Sequence, residues 1–568
     1  MPLSPTSPGA VEGTSSTPRS PLLSRAVRVA MWAAVCWVVI FWRLSYLPLI
    51  DPDEAHYAQI TREMRSSGDY LVPRIDGNPV IDKPALFHWL QAASFAVFGE
   101  TELGARVPTA LAALALLATT WWFGRRLFGG ETGERGALML ALMPLTFVLS
   151  SFAIFDMIFN AFLFGALALL VVSALENRPR LQIPGFLLLS LAIQIKGPFV
   201  LIIVVAAGLA AALSAETRAV LRRIHWITGL TAAVVLALPW FLLMWRAFGQ
   251  RFIDGYVLYN NVQLFAAPLY RRSFYPFFYV RVVFSALGPW TIVAIGGLFD
   301  AWWHRDTGRI LNPRRVILWA WVAVVFVFFS ASRFKLDHYI YPIAPAIGLL
   351  AADAWQAAAT DPSRRYRFTS FSLVLTGVLL LVIGWAGVRA LYTVGLRLPP
   401  GALAICLAVI AGGVVWIAYL YTHELRVPRN IGVLVVPLLI LYGGVVLVGF
   451  PAFDGTRPGA DLGKWLRPRV EAADHIVIYR QGRWKASLRF YVDHPVQQAE
   501  RRAELLATWN GPGRTYAVMR KRDLPILSRT GRPVIWLHSE PAVVGNVGRF
   551  LRRQIWGEVV IVTNRPLP

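Results

Sequence analysis

Apolar runs of roughly 18 to 24 residues recur along most of this chain, and each is long enough to cross a hydrocarbon core of about 30 Å. The 568 residues are 56% hydrophobic and only 15% charged. A soluble core would set a polar face against each apolar one, and these runs mostly do not. The sequence therefore describes a polytopic helical membrane protein.

The runs lie near 26–49, 105–124, 136–154, 157–175, 183–195, 198–213, 226–246, 278–302, 315–332, 338–357, 368–391, 401–421 and 430–450. With the N-terminus inside, every inner link carries arginine, from Arg125, Arg126 and Arg135 in the first to Arg426 and Arg429 in the last. The positive-inside rule thus supports about thirteen spans and a C-terminus outside, or about eleven if 183–213 is a re-entrant pair. Residues 1–25, rich in Ser, Pro and Thr, read as a disordered cytoplasmic tail. Residues 26–452 form the transmembrane domain, with an outer loop at 51–104.

From residue 453 the pattern changes. "HIVIY" (475–479), "LRFYV" (488–492), "RTYAVM" (514–519), "RPVIWL" (532–537) and "EVVIVT" (558–563) read as strands, and "QQAERRAELLATW" reads as a helix. The expectation for 453–568 is a small soluble α/β domain on the periplasmic side. No internal repeat is evident, which disfavours transporter folds built from repeated halves. Cys36 and Cys406 both fall in apolar runs, so neither a disulfide framework nor a cysteine zinc site is expected. The net charge of +24 fits arginine-bearing inner links beside anionic lipid rather than nucleic acid.

Ionisable residues at membrane depth or helix mouths are costly and mark function. Asp51, Asp53 and Glu54 follow the first span, and Asp82 and Lys83 close the same loop. Asp156 sits between the third and fourth spans, Lys196 between the two short ones, Arg271 and Arg272 before 278–302, and Arg333, Lys335 and Asp337 before 338–357. On the expected topology all lie on the outer face, an arrangement suited to an anionic lipid headgroup. Within the loop, Tyr57, Ile60 and Met64 recur at helical spacing up to Gly68, and a second helix restarts with Pro84 at its first position. Both helices read as interfacial, as do His56 and His88.

Each charge also has a plainer reading. An acid can cap a helix, Lys196 can snorkel, Arg271 and Arg272 can be loop charges, and Lys335 can anchor to bulk lipid. Asp51-x-Asp53 without further ligands is weak evidence for a metal, so none is assigned and a divalent ion is left open. A lipid transporter would also gather charge against a lipid phosphate, but it would distribute that charge across the membrane.

The stretch "DPDEAHYAQITREMRSSGDYLVPRIDGNPVIDKPALFHWL" resembles the first outer loop of the bacterial lipid A aminoarabinose transferases, relatives of the protein O-mannosyltransferases. "FDM" (155–157), "IKGP" (195–198), "LPWF" (238–241) and "SRFKLDHYIYPIAPAIGLLAA" (332–352) follow in the family's order. The resemblance implies a GT-C glycosyltransferase fold. It also implies an inner-membrane enzyme that takes a sugar from a polyprenyl monophosphate carrier at the periplasmic face and passes it to lipid A or another envelope acceptor. By the same resemblance Asp53 is the central catalytic carboxylate and Asp156 the second acid. Lys83, Lys335, an arginine of the 271–272 pair and Tyr339 hold the carrier phosphate, and Tyr57 is the aromatic after the Asp-Glu pair. Glu54, Asp82 and Lys196 complete the expected substrate-binding set. The chain departs from the family pattern at His56, at Asp82 and in "YNNVQLFAAPLYRRSF" (259–274). A protein or glycan O-mannosyltransferase-like enzyme is the alternative within the same class.

Overall fold

The computed structural model describes residues 21–266, 277–304, 308, 311–361, 366–393, 401–428, 431–451, 457–543 and 556–566. The expected tail, Arg271 and Arg272 lie largely or wholly outside them. Each apolar run is helical, but not all are single rods. Among the described residues six helices are long and apolar enough to cross a membrane: Glu102–Phe128, Phe155–Leu175, Trp226–Phe248, Pro313–Ala331, Arg367–Arg389 and Ala402–Thr422. A seventh crossing arises if Phe278–Ala286 and Trp290–Trp303, bent by 102°, count as one. The described residues thus give six or seven full-length crossings, with shorter apolar helices such as Phe199–Ala211 and Leu434–Gly449 beside them.

The breaks have local causes. Pro144 opens the short helix Pro144–Leu149 after Gly130–Ala141 and lacks the N–H that would continue the preceding helix. Gly288-Pro289 separates the bent pair. Gly197, at φ 105°, divides Gln182–Lys196 from Phe199–Ala211, neither of which reaches span length. The first run is helical as Pro21–Cys36 and a π-turn Trp37–Phe41, then unwinds before the motif.

After the motif, helix Asp53–Ser67 ends at Gly68, φ 72°, as the spacing predicts. The next helix begins at Leu86 rather than Pro84. Between them strands β1 (Arg74–Ile75) and β2 (Asn78–Pro79) form a hairpin that the sequence reading omits, turning on Asp76 and Gly77 at positive φ.

The C-terminal region is a five-stranded mixed sheet. Its strands are β3 (His475–Tyr479), β4 (Val496–Ala499), β5 (Thr515–Arg520), β6 (Ile535–Val543) and β7 (Trp556–Thr563), in the order β4-β3-β5-β7-β6. β3 pairs in parallel with β4 and β5, and β7 runs antiparallel between β5 and β6. Alternation along β3 sends Ile476 and Ile478 to one face and Val477 and Tyr479 to the other, and both faces are covered. "LRFYV" is not a strand but part of helix Lys485–Val492. A short apolar run fits either element by periodicity alone, and here the crossover between the parallel strands β3 and β4 requires a helix. That helix covers one sheet face through Leu488 and Val492. Through Phe490 and Tyr491 it packs on Leu49, Ala55 and Ala58 of the membrane region.

Candidate active site

Glu54 is the foundation of the site. Its carboxylate is 1% exposed and faces Arg106, which is 2% exposed, through two bonds: Nε to Oε1 at 2.9 Å and Nη2 to Oε2 at 2.8 Å. The backbone N–H of Ile50 donates to Oε2 at 2.9 Å and that of Ala153 to Oε1 at 2.7 Å. Arg106 also donates to the carbonyls of Leu44, Leu47 and Pro48, which the unwound first helix leaves without intrahelical donors. A buried ion pair persists only when its remaining donors and acceptors are satisfied, and here they are. Glu54, expected among the substrate ligands, thus has both oxygens committed. It ties the motif to Arg106 and to the entry of helix Phe155–Leu175.

One residue earlier the situation reverses. Asp53 opens the motif helix and is exposed, and among the described residues its carboxylate takes part in no hydrogen bond or ion pair. Although its carboxylate reaches solvent, protein crowds the surrounding shell, and this desolvation raises its pKa. His338 and Lys83 pull in the opposite direction, and Asp156 adds to the rise. Asp156 itself is buried and paired. Lys196 Nζ donates to Oδ1, and His338 Nε2 lies 3.6 Å from Oδ2. The two acids are electrostatic neighbours with opposite commitments.

Lys83 is a cationic neighbour of both acids. Its ion pair with Asp82 is long, 3.5 Å, and its ammonium sits 5.6 Å from the centre of the Phe155 ring. Tyr57 packs edge-on to Phe155 at 4.6 Å and to Phe87 at 5.8 Å, forming the aromatic floor beneath Lys83. His56, expected at the interface, is half-buried beside Asp53 and Asp82, and desolvation lowers its pKa, favouring the neutral ring. His88, also expected there, is buried and meets the Thr61 hydroxyl at 2.8 Å. Burial pushes its pKa down to about 3.

The remaining expected ligands divide. Tyr339 belongs to the cluster, with Lys196 Nζ 5.1 Å from its ring centre and His338 packed edge-on at 5.1 Å. Lys335 caps the end of helix Pro313–Ala331, donating to the carbonyls of Phe329 at 3.3 Å, Ser330 at 2.6 Å and Ser332. Arg271 and Arg272 lie outside the described residues. Arg106 and His338 are the groups the sequence reading passed over. His338 lay inside a quoted motif. Arg106 had one signal, an arginine within an otherwise apolar run. Among the described residues no group of three or more His, Cys, Asp or Glu side chains is arranged to hold a metal.

In overall fold the chain is similar to two groups of solved structures. The crystal structure of ArnT from Cupriavidus metallidurans bound to undecaprenyl phosphate superimposes with a TM-score of 0.73 at 22% identity, covering 95% of this chain and 98% of that one. The archaeal oligosaccharyltransferase of Archaeoglobus fulgidus gives 0.52 at 11% identity, covering 91% and 73%. The profile of the dolichyl-phosphate-mannose-protein mannosyltransferase family matches residues 82–245.

By sequence the chain is similar to the undecaprenyl phosphate-alpha-4-amino-4-deoxy-L-arabinose arabinosyl transferases. The Serratia proteamaculans protein is 28% identical over 372 residues, 62% of this chain and 63% of its own length. The Yersinia enterocolitica protein is 28% identical over 378 residues, 63% and 65%. The matched region thus spans just under two thirds of these relatives.

Proposed function

We propose that this protein is an inverting membrane glycosyltransferase that moves a sugar, an aminoarabinose-like pentose or a related one, from a polyprenyl monophosphate carrier to lipid A or a similar envelope acceptor. The reaction takes place at the periplasmic face of the inner membrane, with the N-terminus cytoplasmic and the sheet region periplasmic. The relatives named for undecaprenyl phosphate-linked aminoarabinose supply the donor and sugar class. The observation that carries the reading is a carboxylate without a partner, Asp53, with half-buried Lys83 and the Asp156–Lys196 pair as its electrostatic neighbours.

The chemistry follows from these commitments. The acceptor oxygen attacks the anomeric carbon, the bond from that carbon to the carrier phosphate oxygen breaks, and the phosphate leaves with the bonding electrons. Its charge grows as the bond breaks, so a fixed cation aimed at it stabilises the transition state. Lys83 takes this role, with Tyr339 at the margin, and Arg271 or Arg272 is the expected further cation. Lys335 serves there only by exchanging its carbonyl partners for phosphate. Asp53 accepts the proton of a hydroxyl acceptor, a role its raised pKa favours. With an anionic phosphate acceptor no proton moves, and Asp53 orients the nucleophile and stabilises oxocarbenium-like charge. Asp156, held by Lys196 and His338, is a fixed charge that keeps the cluster in register.

The test is mass spectrometry of envelope lipids from cells lacking the protein, complemented with wild type or Asp53→Asn at equal abundance. A glycosylated lipid restored only by wild type supports the reading, and its mass names the sugar. Restoration by both removes Asp53 from the chemistry. The match to the mannosyltransferase profile favours one second reading, a protein or glycan acceptor. Unchanged lipids together with consumption of a polyprenyl-phosphate sugar would select it.

A further inference from the structure

The segment presenting Asp53 is gripped from two sides. Glu54 and Arg106 hold it from within the membrane region. The second grip comes from helix Lys485–Val492, more than 400 residues away in sequence. The Ser487 N–H donates to Asp51 Oδ1 at 2.8 Å, and the Ser487 hydroxyl donates to Asp51 Oδ2. Arg457 adds a bond to the Asp51 carbonyl at 3.2 Å. The Tyr491 hydroxyl is a bridge: it accepts the Leu49 N–H at 2.8 Å and donates to Glu102 Oε1 at 2.8 Å.

The same helix also clamps the motif helix further along. Arg62 donates to the Phe490 carbonyl at 2.8 Å and lies 3.9 Å from the centre of its ring, while Arg489 reaches Asp76 at 2.9 Å. Phe490, 3% exposed, closes the apolar contact.

We propose that helix Lys485–Val492 is part of the active-site architecture, with Ser487 and Tyr491 as positioning residues that fix the Leu49–Glu54 segment so that Asp53 faces its substrate. The argument is geometric. The Asp53 carboxylate makes no bond of its own, so its position is set by the backbone and neighbours that hold it. On one side of it Asp51 and Leu49 are anchored to the sheet region, and on the other Glu54 is anchored to Arg106. Released on the sheet side, the segment pivots about Glu54. A displacement of about 1 Å at a reacting group costs on the order of a hundredfold in rate. The sheet region then has a catalytic task that does not require it to touch the sugar.

This inference rests on the transferase reading for its kinetic arm only. In the full-length protein, Tyr491→Phe and Asp51→Ala are expected to lower kcat about 10- to 100-fold while KM for the polyprenyl-phosphate sugar stays within about twofold. Asp51→Asn, which keeps an oxygen acceptor for the Ser487 N–H, should recover most of the loss. Hydrogen exchange should rise in residues 47–55 while β3 and β5 stay protected. Unchanged kcat would overturn the proposal, as would exchange rising throughout the sheet, which would mark a general folding defect. If the wild-type protein turns over no such donor, the transferase reading fails instead, and exchange at 47–55 still decides the positioning claim.

Discussion

At the end of the bundle remote from Asp53, acids meet arginines. Arg315 forks onto Asp353 at 2.7 and 2.8 Å, Arg126 reaches Glu176 at 3.2 Å, and Arg28 approaches Glu134 at 3.4 Å. Asp300 there accepts the N–H of Thr369 at 2.8 Å and its hydroxyl at 2.7 Å. At the Asp53 end, Glu54 is satisfied just as fully and Asp156 is held by Lys196, yet Asp53 itself has no partner and Lys83 has only a distant one. Both ends are rich in charge. What sets the Asp53 end apart is an uncommitted carboxylate standing beside committed ones, with Asp156 and Lys83 as its electrostatic neighbours. A paired charge supports the scaffold, and an unpaired one beside it is available to a ligand.

The sharpest way to break this contrast is Asp53→Asn. Turnover should fall about 10²- to 10⁴-fold, while stability shifts by no more than about 0.5 kcal/mol, read by donor consumption and thermal unfolding of the same preparation. Glu54→Ala, next door, should do the opposite first. Leaving Arg106 buried and unpaired costs about 3–5 kcal/mol, measured as loss of folded protein on heating. A stable Glu54→Ala protein would show that the two acids do not differ as described.

Lys83→Ala should reduce kcat/KM for the lipid-phosphate donor roughly 10- to 100-fold, the equivalent of about 1.5–3 kcal/mol for a charge-assisted bond. Asp353→Asn at the remote end should lower stability by about 1–3 kcal/mol and leave kcat unchanged. Loss of activity without loss of stability there would erase the distinction.

The smallest effect concerns pH. Burial lifts the Asp51 pKa to about 6, against the opposing pull of Ser487 and Arg457. The folded protein therefore binds more protons than the unfolded chain between about 4 and about 6, so this group's contribution to stability falls as pH rises through that window. Thermal unfolding across it should show the trend in wild type, and Asp51→Asn should flatten it.

The sequence made the membrane helices legible because lipid imposes long apolar runs. It also made Asp53, Lys83, Asp156 and Lys196 legible because charge is conspicuous among such runs. Their interruptions were harder to read. Gly288-Pro289 was visible as a breaker, yet its 102° bend depends on what the two halves pack against. Arg106 was hidden because its meaning lies in Glu54, 52 residues earlier. "LRFYV" was read as a strand because four apolar residues around one arginine are too few to show a period, and its real task is a contact with Leu49 and Ala55 that no local pattern encodes. In the site itself the identity of the charged groups could be read from the sequence. Which of them are already occupied could not.

The bonds from Ser487 and Tyr491 to Asp51 and Leu49 join residues 436 and 442 positions apart. Synthesis runs from the N-terminus, so the motif emerges among the first membrane helices and must wait for nearly the whole chain before its second support exists. A nascent or truncated protein would already hold Asp53, Lys83 and Asp156, but its motif segment would be anchored on one side only. On the proposed transferase reading, the order of translation delays assembly of the positioned site until the sheet region has been made.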